Sequence, residues 1–382
     1  MPDHSDFQLS AAELVRYNRH LILPDFGIDA QRQLKAAKVL VVGAGGLGSP
    51  VLLYLAAAGV GTVGIVDFDV VDESNLQRQV LFGKTDIGKQ KVQAARERLE
   101  SLNPHIQIVV HDCRLDAGNA MDILQDYDVV ADGSDNFPTR YLVNDACVLL
   151  GKTLVYASVY QFEGQVSVFN HPDAAGERGP NYRDLYPVPP PPGLVPDCAT
   201  GGVLGVLPGI IGSMQASEVI KVLTGIGEPL SGRLFLFDAL YFEHRSINIK
   251  RRDDNPLNGI APTITRLIDY ELFCGLKTKE RTVREITVRE LLDWQVRGEK
   301  FQLIDVREPH EYETANLGAE LIPLADVAGQ AGRIARDIKV VVHCRSGARS
   351  AKAIRELEDR FGFDNLYNLH GGILAYLEEQ GG

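Results

Sequence analysis

Val39-Leu40-Val41-Val42-Gly43-Ala44-Gly45-Gly46-Leu47-Gly48 is the stretch that decides how the chain is read. Four aliphatic residues in a row suit a strand buried on both faces, and the GxGxxG run after them lets backbone approach a ligand closely. Ser49 to Gly59 is apolar, alanine-rich and closed by glycine, which predicts a helix whose first N–H groups face the loop. Such a helix start accommodates phosphate oxygens. Gly43, Gly45, Gly46 and Gly48 are therefore candidate nucleotide-binding residues, and this pattern alone suits NAD, FAD and ATP alike.

Further short apolar runs lie at Val63 to Asp67, Ile106 to Val110, Val129 to Ala131 and Leu154 to Ser158, with amphipathic stretches between them. That alternation predicts a parallel sheet with crossover helices, an α/β fold. A helix is expected over Gly209 to Leu223, and strands over Arg233 to Asp238 and Arg245 to Ile249, to complete this part. Between them RGPNYRDLYPVPPPPG at 178 to 193, with four consecutive prolines, is expected to be a long exposed excursion. Residues 251 to 284 mix charge, Pro and Gly without periodicity and are read as a linker. A second small α/β unit follows, with strands at Gln302 to Asp305 and Val340 to His343 and helices at Val288 to Gln295 and Ala348 to Arg360.

At 382 residues the chain is longer than single cores usually grow. Its net charge of -12 speaks against nucleic acid or an anionic membrane as partner, since phosphate binding rests on Lys and Arg. The five cysteines are scattered without a CxxC pair, so neither a disulfide framework nor a thiolate zinc site is expected. With no leader-like N-terminus and no run of 18 apolar residues, a cytoplasmic location is the expectation.

The residues beyond the glycine loop favour ATP. Asp67 and Asp69 end the second strand in IVDFD, roughly 20 residues past the glycines, where a carboxylate takes a ribose hydroxyl. Adenylation builds negative charge on the α-phosphate and expels pyrophosphate. It calls for cations such as Arg78 and Lys91 and for a carboxylate, Asp135 beside Asn136, to place Mg²⁺. Hydride transfer needs none of these.

RYNRHLIL at 16 to 23, GAGGLGSP at 43 to 50, SNLQRQ at 74 to 79, SDNFPTRYLVNDAC at 134 to 147 and EGQVSVF at 163 to 169 resemble the MoeB/ThiF-type adenylyltransferases. These are relatives of ubiquitin-activating enzymes that adenylate sulfur carriers ending in Gly-Gly. The resemblance implies that Gly46 and Asp67 bind the adenosine part, that Asn75, Arg78 and Lys91 bind the phosphates, and that Asp135 holds Mg²⁺. It further implies a homodimer in which Arg19 reaches the ATP of the other subunit. Many such proteins hold a zinc ion on two CxxC pairs. Here those positions read Asn181-Tyr182-Arg183-Asp184 and Leu257-Asn258-Gly259-Ile260, so no zinc is expected, and Leu257 with Ile260 could pack as an apolar clip.

Two cysteines stand out. Cys198, in Pro196-Asp197-Cys198-Ala199-Thr200-Gly201-Gly202, precedes an apolar helix whose dipole would favour its thiolate, and the loop resembles the family's DCADGG-like segment. Its expected role is either to resolve an acyl-disulfide or to accept the acyl group as a thioester. Cys344 opens the turn Cys344-Arg345-Ser346-Gly347-Ala348-Arg349-Ser350 after an aliphatic strand, where loop N–H groups, Arg345 and Arg349 would stabilise a thiolate or persulfide. With IDVREPHEYE at 304 to 313, ANLGAELIP at 315 to 323 and LHGGILAY at 369 to 376, this part resembles the rhodanese fold. Asp305 with Arg307 is expected as a buried pair and His343 as a packed strand residue; Cys113, Cys147 and Cys274 are read as structural.

The expected fold is thus a Rossmann-like ATP-binding adenylation domain over 1–250, a linker over 251–284 and a small α/β rhodanese domain over 285–382. The expected function is ATP-dependent adenylation of a ubiquitin-like sulfur carrier, followed by sulfur transfer from a Cys344 persulfide to give a thiocarboxylate. A cysteine desulfurase or thiosulfate would supply the sulfur. Two alternatives stay open at this point: adenylation of another peptide in a natural-product pathway, and an NAD-binding redox module.

Overall fold

Alternate residues of Lys38–Val42 (β1) enter different cores, as a strand with a period of two requires when both its faces are covered. Val39 and Val41 pack with Leu52, Leu55, Val92 and Leu99 on one side, whereas Leu40 and Val42 pack with Tyr141, Leu142 and Leu154 on the other. Each such aliphatic side chain contributes about 1.5–3 kcal/mol on burial. The computed structural model describes residues 7–191, 201–276 and 283–381. The chain divides into two units, Met1–Thr278 and Lys279–Gly382.

In the larger unit β1 lies beside Thr62–Asp67 (β2) and Val129–Asp132 (β4). Gln107–Asp112 (β3) and Thr153–Tyr160 (β5) extend this parallel sheet outward. Glu163–Phe169 (β6), Arg233–Asp238 (β7) and Glu243–Asn248 (β8) then add on antiparallel, giving the order β3-β2-β1-β4-β5-β6-β7-β8. The strand order reverses between β1 and β4, and in open α/β sheets a ligand crevice forms outside the strand ends at such a switch.

The helix Gly48–Ala58 ends on Gly59 in the left-handed conformation, as its sequence predicts. The helix Leu207–Thr224 is pinned across the sheet by Gln215, whose Nε2 donates to the Asp132 and Val155 carbonyls at 2.8 and 2.9 Å.

Two expectations are corrected. The start of the proline-rich excursion is not exposed: Asn181, Tyr182, Arg183 and Asp184 are buried. Tyr182 lies among Tyr141, Tyr156, Phe169 and Tyr186, and Arg183 forms a buried ion pair with Asp145, which also accepts a 2.8 Å hydrogen bond from the Tyr270 hydroxyl. Nor do Leu257 and Ile260 form an apolar clip, since Leu257 is buried and Ile260 is 80% exposed. Polar contacts join the two segments instead. Asn181 Nδ2 donates to Asn258 Oδ1 at 3.0 Å, and Asp184 Oδ1 accepts from the Arg252 backbone N–H and from Asn255 Nδ2 at 2.9 and 2.7 Å.

The smaller unit holds a wholly parallel sheet in the order β11-β10-β12-β13-β9, made from Glu285–Ile286 (β9), Phe301–Asp305 (β10), Glu320–Leu321 (β11), Lys339–His343 (β12) and Leu366–Leu369 (β13). The amphipathic helix Ala348–Phe361 packs Ala353, Ile354 and Leu357 against Val340, Val342 and Leu366. β9, β11 and β13 are too short or too mixed in pattern to read from sequence.

Candidate functional site

The glycine loop turns at Gly43, whose φ of 89° lies in the region that disfavours a side chain. At Gly48 an added Cβ would meet the Gly43 carbonyl oxygen at 1.9 Å, so the turn from β1 into the helix closes only with glycine there. Asp67, at the end of β2, accepts the Ala44 backbone N–H at 2.8 Å on one carboxylate oxygen and the Asp69 N–H at 2.8 Å on the other. Burial pushes its carboxyl up, and these two N–H groups oppose that. Asp67 therefore braces the loop as well as facing the crevice.

A cleft opens over the ends of β1, β2 and β4. Of the residues singled out in the sequence, Gly43, Gly45, Gly46, Asp67, Asp69, Arg78, Lys91, Asp135 and Asn136 line it together. Lys91 is buried and pairs with Asp69 at 2.8 Å, while the Arg78 guanidinium touches the Ser74 carbonyl at 3.3 Å. Asn136 caps the helix Phe137–Leu149 by accepting the Thr139 N–H at 3.0 Å, and Asp135 stands exposed beside it.

Gly48, Asn75 and Arg19 are not part of the lining. Gly48 opens the helix behind the loop, Asn75 Oδ1 closes a short turn by accepting the Asp72 N–H at 3.2 Å, and Arg19 is exposed on the helix Asn18–Leu21. Cys198 lies outside the described residues.

Sequence reasoning passed over Gln79, Ser134, Phe68, Arg114 and Cys113 as parts of this lining. Gln79 Oε1 is buried with no hydrogen-bond partner among the described residues, which suits a polar ligand that supplies one. Phe68 is 55% exposed, with the Arg114 guanidinium 6.0 Å from its ring centre. Its place between two carboxylates in IVDFD was the available signal. Burial, with Asp112 and Asp116, pushes the Cys113 thiol up, so this cysteine is a poor nucleophile. Cys147 and Cys274 are buried in the core, as expected.

In the smaller unit β12 delivers Cys344 to the start of a tight loop. The Gly347 N–H lies 3.2 Å and the Ser350 hydroxyl 3.4 Å from its sulfur. Burial raises this thiol, but hydrogen bonds from Ser350, Ser346 and Gly347 outweigh it and hold the thiol below its usual value. Both terminal nitrogens of Arg349 bind the Glu311 carboxylate, so Arg349 acts on the sulfur through its charge and not through a hydrogen bond. Arg345 is exposed. Beneath the loop Arg307 grips Asp305 and the Glu311 and Ala315 carbonyls, the buried structural pair the sequence suggested. His343 is fully buried, 3.7 Å from Asp305, and burial holds its ring below the usual value.

The ThiF family model matches residues 17–258, well over half of the chain. The chain belongs to the ThiF family. A Rhodanese-like domain model matches residues 287–379. Among curated relatives, the "Probable adenylyltransferase/sulfurtransferase MoeZ" of Mycobacterium tuberculosis is 51% identical over 378 residues, 97% of this chain and 94% of that protein. The "Sulfur carrier protein adenylyltransferase" of Thermus thermophilus is 56% identical over 265 residues, 69% of this chain and 98% of that protein. The "Adenylyltransferase and sulfurtransferase MOCS3" of Drosophila ananassae is 43% identical across 97% of this chain and 84% of that protein. A solved structure of Escherichia coli MccB with ATP shares the fold at a TM-score of 0.53 and 23% identity, covering 61% of this chain and 69% of that one. This ThiF-family chain is an adenylyltransferase joined to a sulfurtransferase, and the first unit uses ATP.

Proposed function

We propose that the chain adenylates the C-terminal glycine carboxylate of a small ubiquitin-like sulfur-carrier protein ending in Gly-Gly, and then replaces one carboxylate oxygen by sulfur carried on Cys344. The observation that carries this reading is that one chain holds both a glycine-loop cleft with Arg78 and Lys91 and a cysteine whose sulfur receives loop hydrogen bonds. The Thermus thermophilus relative, named for a sulfur carrier, supports the substrate class.

In the first step a carboxylate oxygen of the carrier attacks the α-phosphorus of ATP, and pyrophosphate leaves. Backbone at Gly45 and Gly46 admits the phosphates, and Arg78 and Lys91 offset the charge that develops. The exposed Asp135 suits Mg²⁺, which favours one or two carboxylates plus phosphate and water oxygens. Mg²⁺ bound there would neutralise phosphate charge.

In the second step the terminal sulfur of a Cys344 persulfide attacks the acyl carbon, AMP leaves, and an acyl-disulfide results. Cys198 thiolate then attacks Sγ of Cys344, so the carrier departs as a thiocarboxylate and a Cys198–Cys344 disulfide remains for a thiol reductant to open. A thioester on Cys198 is the alternative for this residue. Having both activities in one chain raises the effective concentration of the second step. In this reading residues 1–250 adenylate and 285–382 carry sulfur, supplied by a cysteine desulfurase or thiosulfate, and 251–284 connect them while lending Tyr270 and Cys274 to the first unit's core.

The reading extends to a homodimer in the cytoplasm, with Arg19 serving the partner's ATP. Exposed Val15, Ile22 and Leu23 near Arg19 support an interface there. It includes no zinc, since the positions where thiolates would be needed hold Asn181, Asp184, Leu257 and Ile260, and Asn181 and Asp184 bond instead to Asn258 and Asn255.

The test is ATP–pyrophosphate exchange with candidate Gly-Gly-terminated carriers, followed by carrier mass after a persulfide donor is added. Exchange with a mass gain of one oxygen-to-sulfur replacement is expected, and Cys344→Ala should keep exchange and lose the mass gain. Thiocarboxylate formed at the normal rate by that variant would refute the mechanism.

A further inference from the structure

Ser350 has a single hydroxyl proton and three acceptors for it. Its Oγ lies 3.4 Å from Cys344 Sγ, 3.0 Å from the Gly347 carbonyl and 2.6 Å from Asn368 Oδ1. The shortest of these contacts is set by the orientation of the Asn368 amide. Glu285 stands across the parallel β13–β9 pair from Asn368 and accepts the Asn368 Nδ2–H at 2.8 Å. An ionised carboxylate only accepts hydrogen bonds, so it draws the amide nitrogen toward itself and turns Oδ1 toward Ser350. With Oδ1 so placed, the Ser350 proton is claimed by Asn368, and sulfur must compete for it.

We propose that Glu285 is a positioning residue for Cys344, acting through Asn368 and Ser350 to limit the hydrogen bond that the Ser350 hydroxyl gives the sulfur. Without the Glu285 acceptor the Asn368 amide can turn over and donate to Ser350 Oγ. The hydroxyl proton is then released to the sulfur, and the thiolate is favoured. The Gly347 N–H serves the sulfur in either arrangement.

The charged groups around this cluster do not produce the same effect. Arg349, on the helix after the loop, is paired with Glu311 and acts on Cys344 only as a charge that does not depend on Ser350, and Arg345 is exposed to solvent. Asp305, Arg307 and His343 form their own buried group on β10 and β12. Glu285 sits on β9, the first strand of the smaller unit, directly after the residues that join it to the larger one in sequence. The relay therefore ties the cysteine loop to the start of its own domain.

The proposal rests on reading Cys344 as the sulfur carrier, and its test separates the two claims. The rate of Cys344 alkylation by iodoacetamide is measured against pH in the full-length protein, with the modified peptide resolved by mass spectrometry. Glu285→Ala is expected to lower the thiol midpoint and speed alkylation at fixed pH by about threefold to tenfold, the size of one modest hydrogen bond. Glu285→Gln, which keeps an acceptor for Asn368, should stay near the wild-type rate. In a Ser350→Ala background Glu285→Ala should change nothing, because the relay is already cut. A simple loss of negative charge predicts otherwise. Equal acceleration in Glu285→Ala and Glu285→Gln, acceleration that persists without Ser350, or no acceleration in Glu285→Ala overturns the relay. Absence of a Cys344 persulfide after treatment with thiosulfate or a desulfurase would count against the sulfur-carrier role alone.

Discussion

Arg349 gives both its terminal nitrogens to the Glu311 carboxylate, at 2.6 and 2.7 Å, and so is taken out of direct service to the neighbouring Cys344. The bidentate geometry is the strong form of an ion pair. It holds the Glu311 carboxyl down to about 2, chiefly through the Arg349 hydrogen bonds. The sign follows from linkage: a carboxylate depressed in the folded state favours folding above its ordinary value, and that contribution is lost as pH falls toward 2.

Glu311→Gln should release Arg349 toward the loop. An anionic donor such as thiosulfate would then meet a free guanidinium, and its KM for persulfidating Cys344 should fall several-fold, with kcat changing less. Donor saturation curves for Cys344 loading measure this. An unchanged KM would show that Arg349 remains unavailable without Glu311.

Asp135→Asn should cut ATP–pyrophosphate exchange about 100-fold or more, the scale of losing a preorganised charge at a phosphoryl centre. Raising Mg²⁺ should recover part of the loss, and loading of Cys344 should not move. Arg78→Ala should lower exchange without that Mg²⁺ response.

Asp145→Asn should destabilise the larger unit by about 3–5 kcal/mol, because it strands a buried guanidinium that also lies over the Tyr141 and Phe273 rings. A drop of roughly 10 °C in that unit's melting transition is expected. Differential scanning calorimetry of the whole chain reads it, with the smaller unit's transition as the internal reference.

Asn255→Ala should cost about 1–3 kcal/mol by removing the 2.7 Å bond to Asp184. Treatment with a zinc chelator should leave the melting temperature of the unaltered protein where it was. A chelator-dependent fall would mean that a metal ion holds this region after all.

Much of this was open to view in the chain itself. The run from Val39 to Gly48 determined a buried parallel strand and a phosphate-suited turn, because four aliphatic residues need cover on both faces and Gly48 leaves no room for a Cβ. The loop from Cys344 to Ser350 likewise carried its own strand-to-turn signal. Tertiary structure alone decided which partners the polar groups find. That Lys91 pairs with Asp69, that Glu311 occupies Arg349, and that Asn181 and Asp184 bind Asn258 and Asn255 all depend on residues 22 to 77 positions apart. Local pattern reports periodicity and turn geometry. It does not report which distant carboxylate or amide the folded chain brings within hydrogen-bond reach, and so Glu285, 83 residues from Asn368, could be seen only once β9 lay beside β13.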